Sequence, residues 1–88
     1  MSAGGVTAVA AAMRMHRSEE PVQRWALRAL GNLAADHPTN SAIIAAAGGA
    51  GLAYVAEQAH PEARYVGEYA RTLVQLLAID TSRFADVP

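Results

Sequence analysis

The chain repeats itself at an offset of 44 residues. Gly4-Gly5 returns as Gly48-Gly49, Ala12 as Ala56, His16 as His60, Val22 as Val66 and Ala26 as Ala70. Leu33-Ala34 then returns as Leu77-Ala78, and Asp36 as Asp80. A period of this length in a sequence without alternating apolar patterning is the mark of an α-solenoid, in which each two- or three-helix unit buries its apolar side only against its neighbours. The repeat therefore dictates an all-α chain and a stacked architecture before any single residue is considered.

Punctuation places the helices. The first begins after Gly4-Gly5 and runs to about Met15, with Val6, Val9, Ala10 and Met13 on one stripe at helical spacing. Ser18 is the N-cap candidate of the second, Glu19 and Glu20 suit its positive end, and Pro21 fits its first turn. Val22, Ala26, Ala29, Leu30 and Leu33 form its apolar stripe, which ends near Ala35. Pro38-Thr39 opens a short third helix over residues 40–47, with Ile43, Ile44 and Ala47 inward and Gly48 as a left-handed C-cap. Leu52, Val55, Ala56 and Ala59 mark the fourth. Pro61 at a first helical position opens the fifth, with Val66, Ala70, Leu73, Val74 and Leu77 predicted to be buried. Residues 80–87 read as the start of another short helix.

Composition narrows the function classes. The chain is 52% hydrophobic and 17% charged over 88 residues, which fits one folded domain and excludes a disordered one. No cysteine is present, so thiolate metal sites and cysteine nucleophiles are ruled out. The expectation is an intracellular, cytoplasmic protein. The first twelve residues are apolar but lack a cationic start, which favours a helix over a signal peptide. Asp36 and Glu57 bound a stretch without charge, yet Pro38, Thr39-Asn40-Ser41 and Gly48-Gly49 interrupt it too often for a membrane span.

The net charge is −1. Arg14, Arg17, Arg24 and Arg28 cluster in the first half against Glu19, Glu20 and Asp36, a balance that suits an acidic peptide better than a nucleic acid.

The segment Val22-Gln23-Arg24-Trp25-Ala26-Leu27-Arg28-Ala29-Leu30-Gly31-Asn32-Leu33-Ala34 resembles the third helix of an armadillo repeat. Residues 40–49 resemble that family's short first helix and glycine corner, residues 49–59 its second helix, and residues 62–79 another third helix. The resemblance implies a single armadillo-like domain over 1–88 of about two repeats in a shifted frame. Residues 4–35 supply second and third helices, 38–79 one full repeat, and 80–88 the start of a further one. It further implies a right-handed superhelix whose third helices line a peptide-binding groove. Asn32 matches the family's groove asparagine, whose amide pairs with a bound peptide's main chain. Arg28 stands where the importin-type array carries Trp, and Thr72 and Leu76 fill the matching positions of the second repeat, so recognition of a nuclear-localisation signal does not follow.

Trp25, Arg28 and Asn32, at i, i+3 and i+7, share one face of the second helix. Tyr69, Thr72 and Leu76 are their repeat mates, with Glu68 alongside. Trp25, Arg28, Asn32, Glu68, Tyr69 and Thr72 are accordingly the candidate peptide- or protein-binding residues, since aromatic and Arg anchors dominate interface energetics.

No catalytic, cofactor or metal site emerges. His16 and His60 are repeat equivalents better suited to capping helix ends than to sharing a metal. Glu19 and Glu20 are adjacent and point to different sides of a helix. The glycine pairs lack the strand and lysine of a phosphate loop.

The expected function is a non-enzymatic interaction or scaffold module. The alternative is a structural module that self-associates, or extends a longer helical array, through apolar end faces. Two repeats fall short of the three or so that usually stand alone. On this reading the first helix exposes a Val/Ala/Met face, and Leu76, Leu77, Ile79 and Phe84 mark the other end.

Overall fold

The computed structural model describes the backbone of residues 3–85 and the side chains of residues 4–78. Five helices follow in order: α1 (Ala3–Met15), α2 (Glu20–Ala34), α3 (Pro38–Ala46), α4 (Gly49–Ala59) and α5 (Arg64–Ala85). The chain is all-α, with no strand among the described residues.

The 44-residue offset reaches into the turns. Glu19 N–H donates to the His16 carbonyl at 3.1 Å, and Ala63 N–H donates to the His60 carbonyl at 3.1 Å. The α1–α2 and α4–α5 links are thus the same four-residue β-turn, 44 residues apart. This explains two departures from expectation. Ser18 sits inside the first turn, so Glu19 takes the N-cap position and no side chain caps the helix. Pro61 occupies the second position of the other turn, where its fixed φ is favoured, and α5 opens three residues later at Arg64.

The ends of α2 and α5 differ for an equally local reason. α2 closes with Ala35 extended and Asp36 left-handed at φ 56°. His37-Pro38 follows, and the proline ring disfavours helical geometry in the residue before it. The offset places Ser82 at the position of Pro38. Nothing there forbids helix, and α5 runs through Asp80 to Ala85 without interruption. The separate short helix expected from residue 80 is not formed within the described residues. Between α3 and α4 the corner comes where expected: Gly48 adopts φ 86°, a left-handed conformation that L side chains resist, and the two helices meet at a 66° bend.

The helices pair as two hairpins, α1 with α2 and α4 with α5, and α3 crosses between them. α2 packs most extensively on α5, and α1 touches α4, so like helices of the two repeats lie together. Ala26 and Ala70, repeat mates on α2 and α5, are both fully buried, and such small side chains let helices approach closely. Met13, Leu27, Leu30, Ile44, Val66 and Leu73 fill the rest of the core.

Burial corrects several sequence expectations. The Val6–Val9–Ala10–Met13 stripe of α1 is covered by its neighbours instead of forming an exposed end. Leu77 is buried and Leu76 half-buried against the core; Ile79 and Phe84 lie outside the residues with described side chains. Conversely, Val55 and Val74 are 37% and 39% exposed, and Ala59 is exposed. Val74 is the repeat mate of the buried Leu30, and the hairpin that would cover it has no counterpart among the described residues.

Among the described residues no single helix is long and apolar enough to cross a membrane.

Candidate functional site

Burial of Ala26, Leu27, Leu30 and Ala34 fixes the rotation of α2 and turns Arg24, Trp25, Arg28 and Asn32 outward. Trp25 is 58% exposed, a large apolar surface for a side chain of this kind. Arg24 is drawn to Glu20 at 3.7 Å, an i,i+4 ion pair. Trp25, Arg28 and Asn32 have no side-chain partner among the described residues. One helix row thus carries an aromatic plane, a free guanidinium and a free amide.

The matching row of α5 is more occupied. Glu68 is exposed, with its carboxylate accepting from Arg64 Nε at 3.3 Å. Thr72 is exposed and donates its hydroxyl to the Glu68 carbonyl at 2.9 Å. Tyr69 is half-buried on the core and stacks on Tyr65, with ring centroids 6.0 Å apart. Tyr65 itself is 48% exposed beneath the Arg64 guanidinium, which lies 5.8 Å from its ring centre. Sequence reasoning did not select Tyr65. Its repeat mate is Pro21, which gave no aromatic cue; its i,i+4 spacing to Tyr69 was the available signal.

The basic cluster of the first half is dispersed. Arg14 donates from Nη2 to the Ala47 carbonyl at 2.9 Å, placing a cation at the negative end of α3. Arg24 is taken by Glu20, which leaves Arg17 and Arg28 unpaired among the described residues. The glutamates are similarly engaged, Glu19 Oε2 with His16 Nδ1 and Glu20 with Arg24. His60 Nε2 meets the Arg17 carbonyl at 2.7 Å, just beyond the end of α1, so its ring serves as a helix-end tie. Among the described residues no three His, Cys, Asp or Glu side chains gather as a metal-binding group.

Sequence reasoning missed three buried polar side chains that hold the repeat together. Gln23, 2% exposed, donates from Nε2 to the Met13 carbonyl at 3.1 Å and the His16 carbonyl at 2.9 Å. Asn40 donates to the Leu33 carbonyl at 2.9 Å, and Ser41 to the Ala34 carbonyl at 3.1 Å. The Met13 and Leu33 carbonyls are ones that a helix end leaves open, whereas those of His16 and Ala34 also accept the N–H of Glu19 and His37. Their shared signal is spacing: all three contacts span seven residues across a helix–turn–helix join, apart from the additional Gln23–Met13 bond.

Two further concavities lie on the α4–α5 side, one of about 370 Å³ between Tyr54, Glu57, Arg71 and Val74, and one of about 410 Å³ beside Gly48, Gly51 and Ala78. Neither includes the Trp25 row.

The class this geometry defines is an all-α protein of two stacked helical hairpins joined by a crossing helix. Comparison with protein-family models, with curated proteins and with solved structures gave no match to the chain.

Proposed function

We propose that the chain is an armadillo-like helical-repeat module, without enzymatic activity, that holds an extended peptide or protein segment along α2 and α5. The observation that carries this reading is the outward row of Trp25, Arg28 and Asn32, free of intramolecular partners among the described residues. Trp and Arg are the side chains that most often anchor interfaces, and an Asn amide can both donate to and accept from a peptide main chain. The free Arg28 guanidinium favours a segment with a carboxylate in its path, because its planar donors match that group. Tyr65 and Tyr69 extend the aromatic surface on the helix against which α2 packs most extensively.

The test is binding of the intact chain to an array of extended peptides graded in charge, repeated with the double variant W25A/R28A. Acidic peptides should be retained by the native chain and lost by the variant, with the thermal melt unchanged. Absence of binding, or equal binding by both proteins, would sink the proposal.

A further inference from the structure

The 44-residue offset also relates two faces with opposite fates. Val6, Ala10 and Met13 of α1, and Leu27, Leu30 and Ala34 of α2, are each at most 2% exposed. Their repeat mates are Ala50, Tyr54, Glu57, Arg71, Val74 and Ala78 on α4 and α5. All six mates are exposed except Glu57, which is half-buried. Tyr54 is 64% exposed and Val74 39%. The face that lies buried on the first hairpin is therefore presented open on the second.

The substitutions across this pair of faces bring in charge and an aromatic ring. Met13 and Leu27 become Glu57 and Arg71, while Ala10 becomes Tyr54. Glu57 and Arg71 line the same concavity of about 370 Å³, with Ala50, Tyr54, Val74 and Gln75. Neither charge belongs to an ion pair among the described residues; Arg71 only donates from Nε to the Gly67 carbonyl of its own helix at 3.1 Å. One patch thus holds an acid and a base, neither in an ion pair among the described residues, and an exposed aromatic ring. Such a patch is complementary to itself: a two-fold rotation sets each acid against the other copy's base.

We infer that the open α4–α5 face, centred on Tyr54, Glu57, Arg71 and Val74, is an isologous docking surface for a second copy of this chain. Glu57 of each copy meets Arg71 of the other, and the two Tyr54 rings bury against the apolar Ala50–Val74 surface. Closure at two copies follows from the symmetry, because each face is used up by its partner. This dimer leaves the Trp25 row of α2 free and is independent of the peptide-binding reading.

Charge reversal tests it. Sedimentation equilibrium of the native chain should show a monomer–dimer equilibrium. E57R and R71E, each alone, set like charges in opposition and should weaken the dimer at least about tenfold. Mixing the E57R chain with the R71E chain restores both attractive pairs, so a heterodimer near native strength is expected. Y54A should weaken the dimer without changing the melt, and W25A/R28A should leave it intact. The inference is overturned by a native chain that stays monomeric, by growth past two copies, by single reversals that leave the dimer unchanged, or by a mixture that fails to recover it.

Discussion

Gln23 is the side chain whose loss should tell most about how this small fold is held. It is 2% exposed, and its one amide nitrogen closes two carbonyls, of Met13 and His16, at the end of α1. Replacement by Leu keeps the size of the side chain but removes both donors. Each lost hydrogen bond costs about 1 kcal/mol, and a carbonyl left buried without a partner costs about 1–3 kcal/mol. The His16 carbonyl keeps the Glu19 N–H as a donor, so only the Met13 carbonyl loses its partner and a total near 2–3 kcal/mol is expected. A chain of this length has roughly 4–13 kcal/mol in all. At about 4–8 °C per kcal/mol, the melting temperature should fall by roughly 10–20 °C. Urea titration followed by circular dichroism gives the free energy directly. The isosteric variant Q23E supplies a sharper check. A protonated carboxyl can still donate to one carbonyl, whereas an ionised one faces two carbonyl oxygens with no donor, so Q23E should be more destabilised at neutral than at acid pH relative to the native chain. A Q23L protein within about 0.5 kcal/mol of the native chain would refute the claim that these carbonyls depend on Gln23.

Two glycines should respond in opposite directions. A Cβ on Gly49 would lie 2.6 Å from Ile44 Cγ2 and 3.0 Å from the Ile44 carbonyl oxygen, so G49A should cost about 2 kcal/mol in urea unfolding. Gly31 has nothing within 4 Å of such a Cβ and sits inside α2, so G31A should stabilise by about 0.5–1 kcal/mol. H60A removes the Nε2 contact to the Arg17 carbonyl and should cost about 0.5–1.5 kcal/mol, visible as a lower urea midpoint at unchanged slope.

The parts of the fold legible in the sequence are those governed by local rules. The α1 stripe, the left-handed Gly48 corner and the proline in the first turn of α2 all stand where helical period and backbone sterics put them. The parts that were not legible depend on what lies across a gap in sequence. Val74 and Leu30 occupy the same place in their repeats, and no local pattern says that one has a neighbour to cover it and the other does not. Gln23, Asn40 and Ser41 are polar and belong to no apolar stripe; their burial follows from carbonyls seven residues earlier, which a hydrophobic period does not register. In the candidate site, the exposure of Trp25, Arg28 and Asn32 followed from the α2 stripe. The engagement of Glu68 and Thr72 within α5, and the stacking of Tyr65 on Tyr69, came from side-chain geometry.

Two side-chain bonds tie the first hairpin to the rest of the chain, Arg14 to the Ala47 carbonyl and His60 of the second hairpin to the Arg17 carbonyl, and they bridge 33 and 43 residues. By contrast, the turns at 16–19 and 60–63 close within four residues. Short loops close at lower entropic cost, so the two turns are expected to close first and the long ties to join only as the halves dock. Side chains in those ties should then have low φ-values: H60A and R14A should speed unfolding while leaving the refolding rate nearly unchanged. The order of assembly is thus written in which hydrogen bonds are near in sequence and which are far.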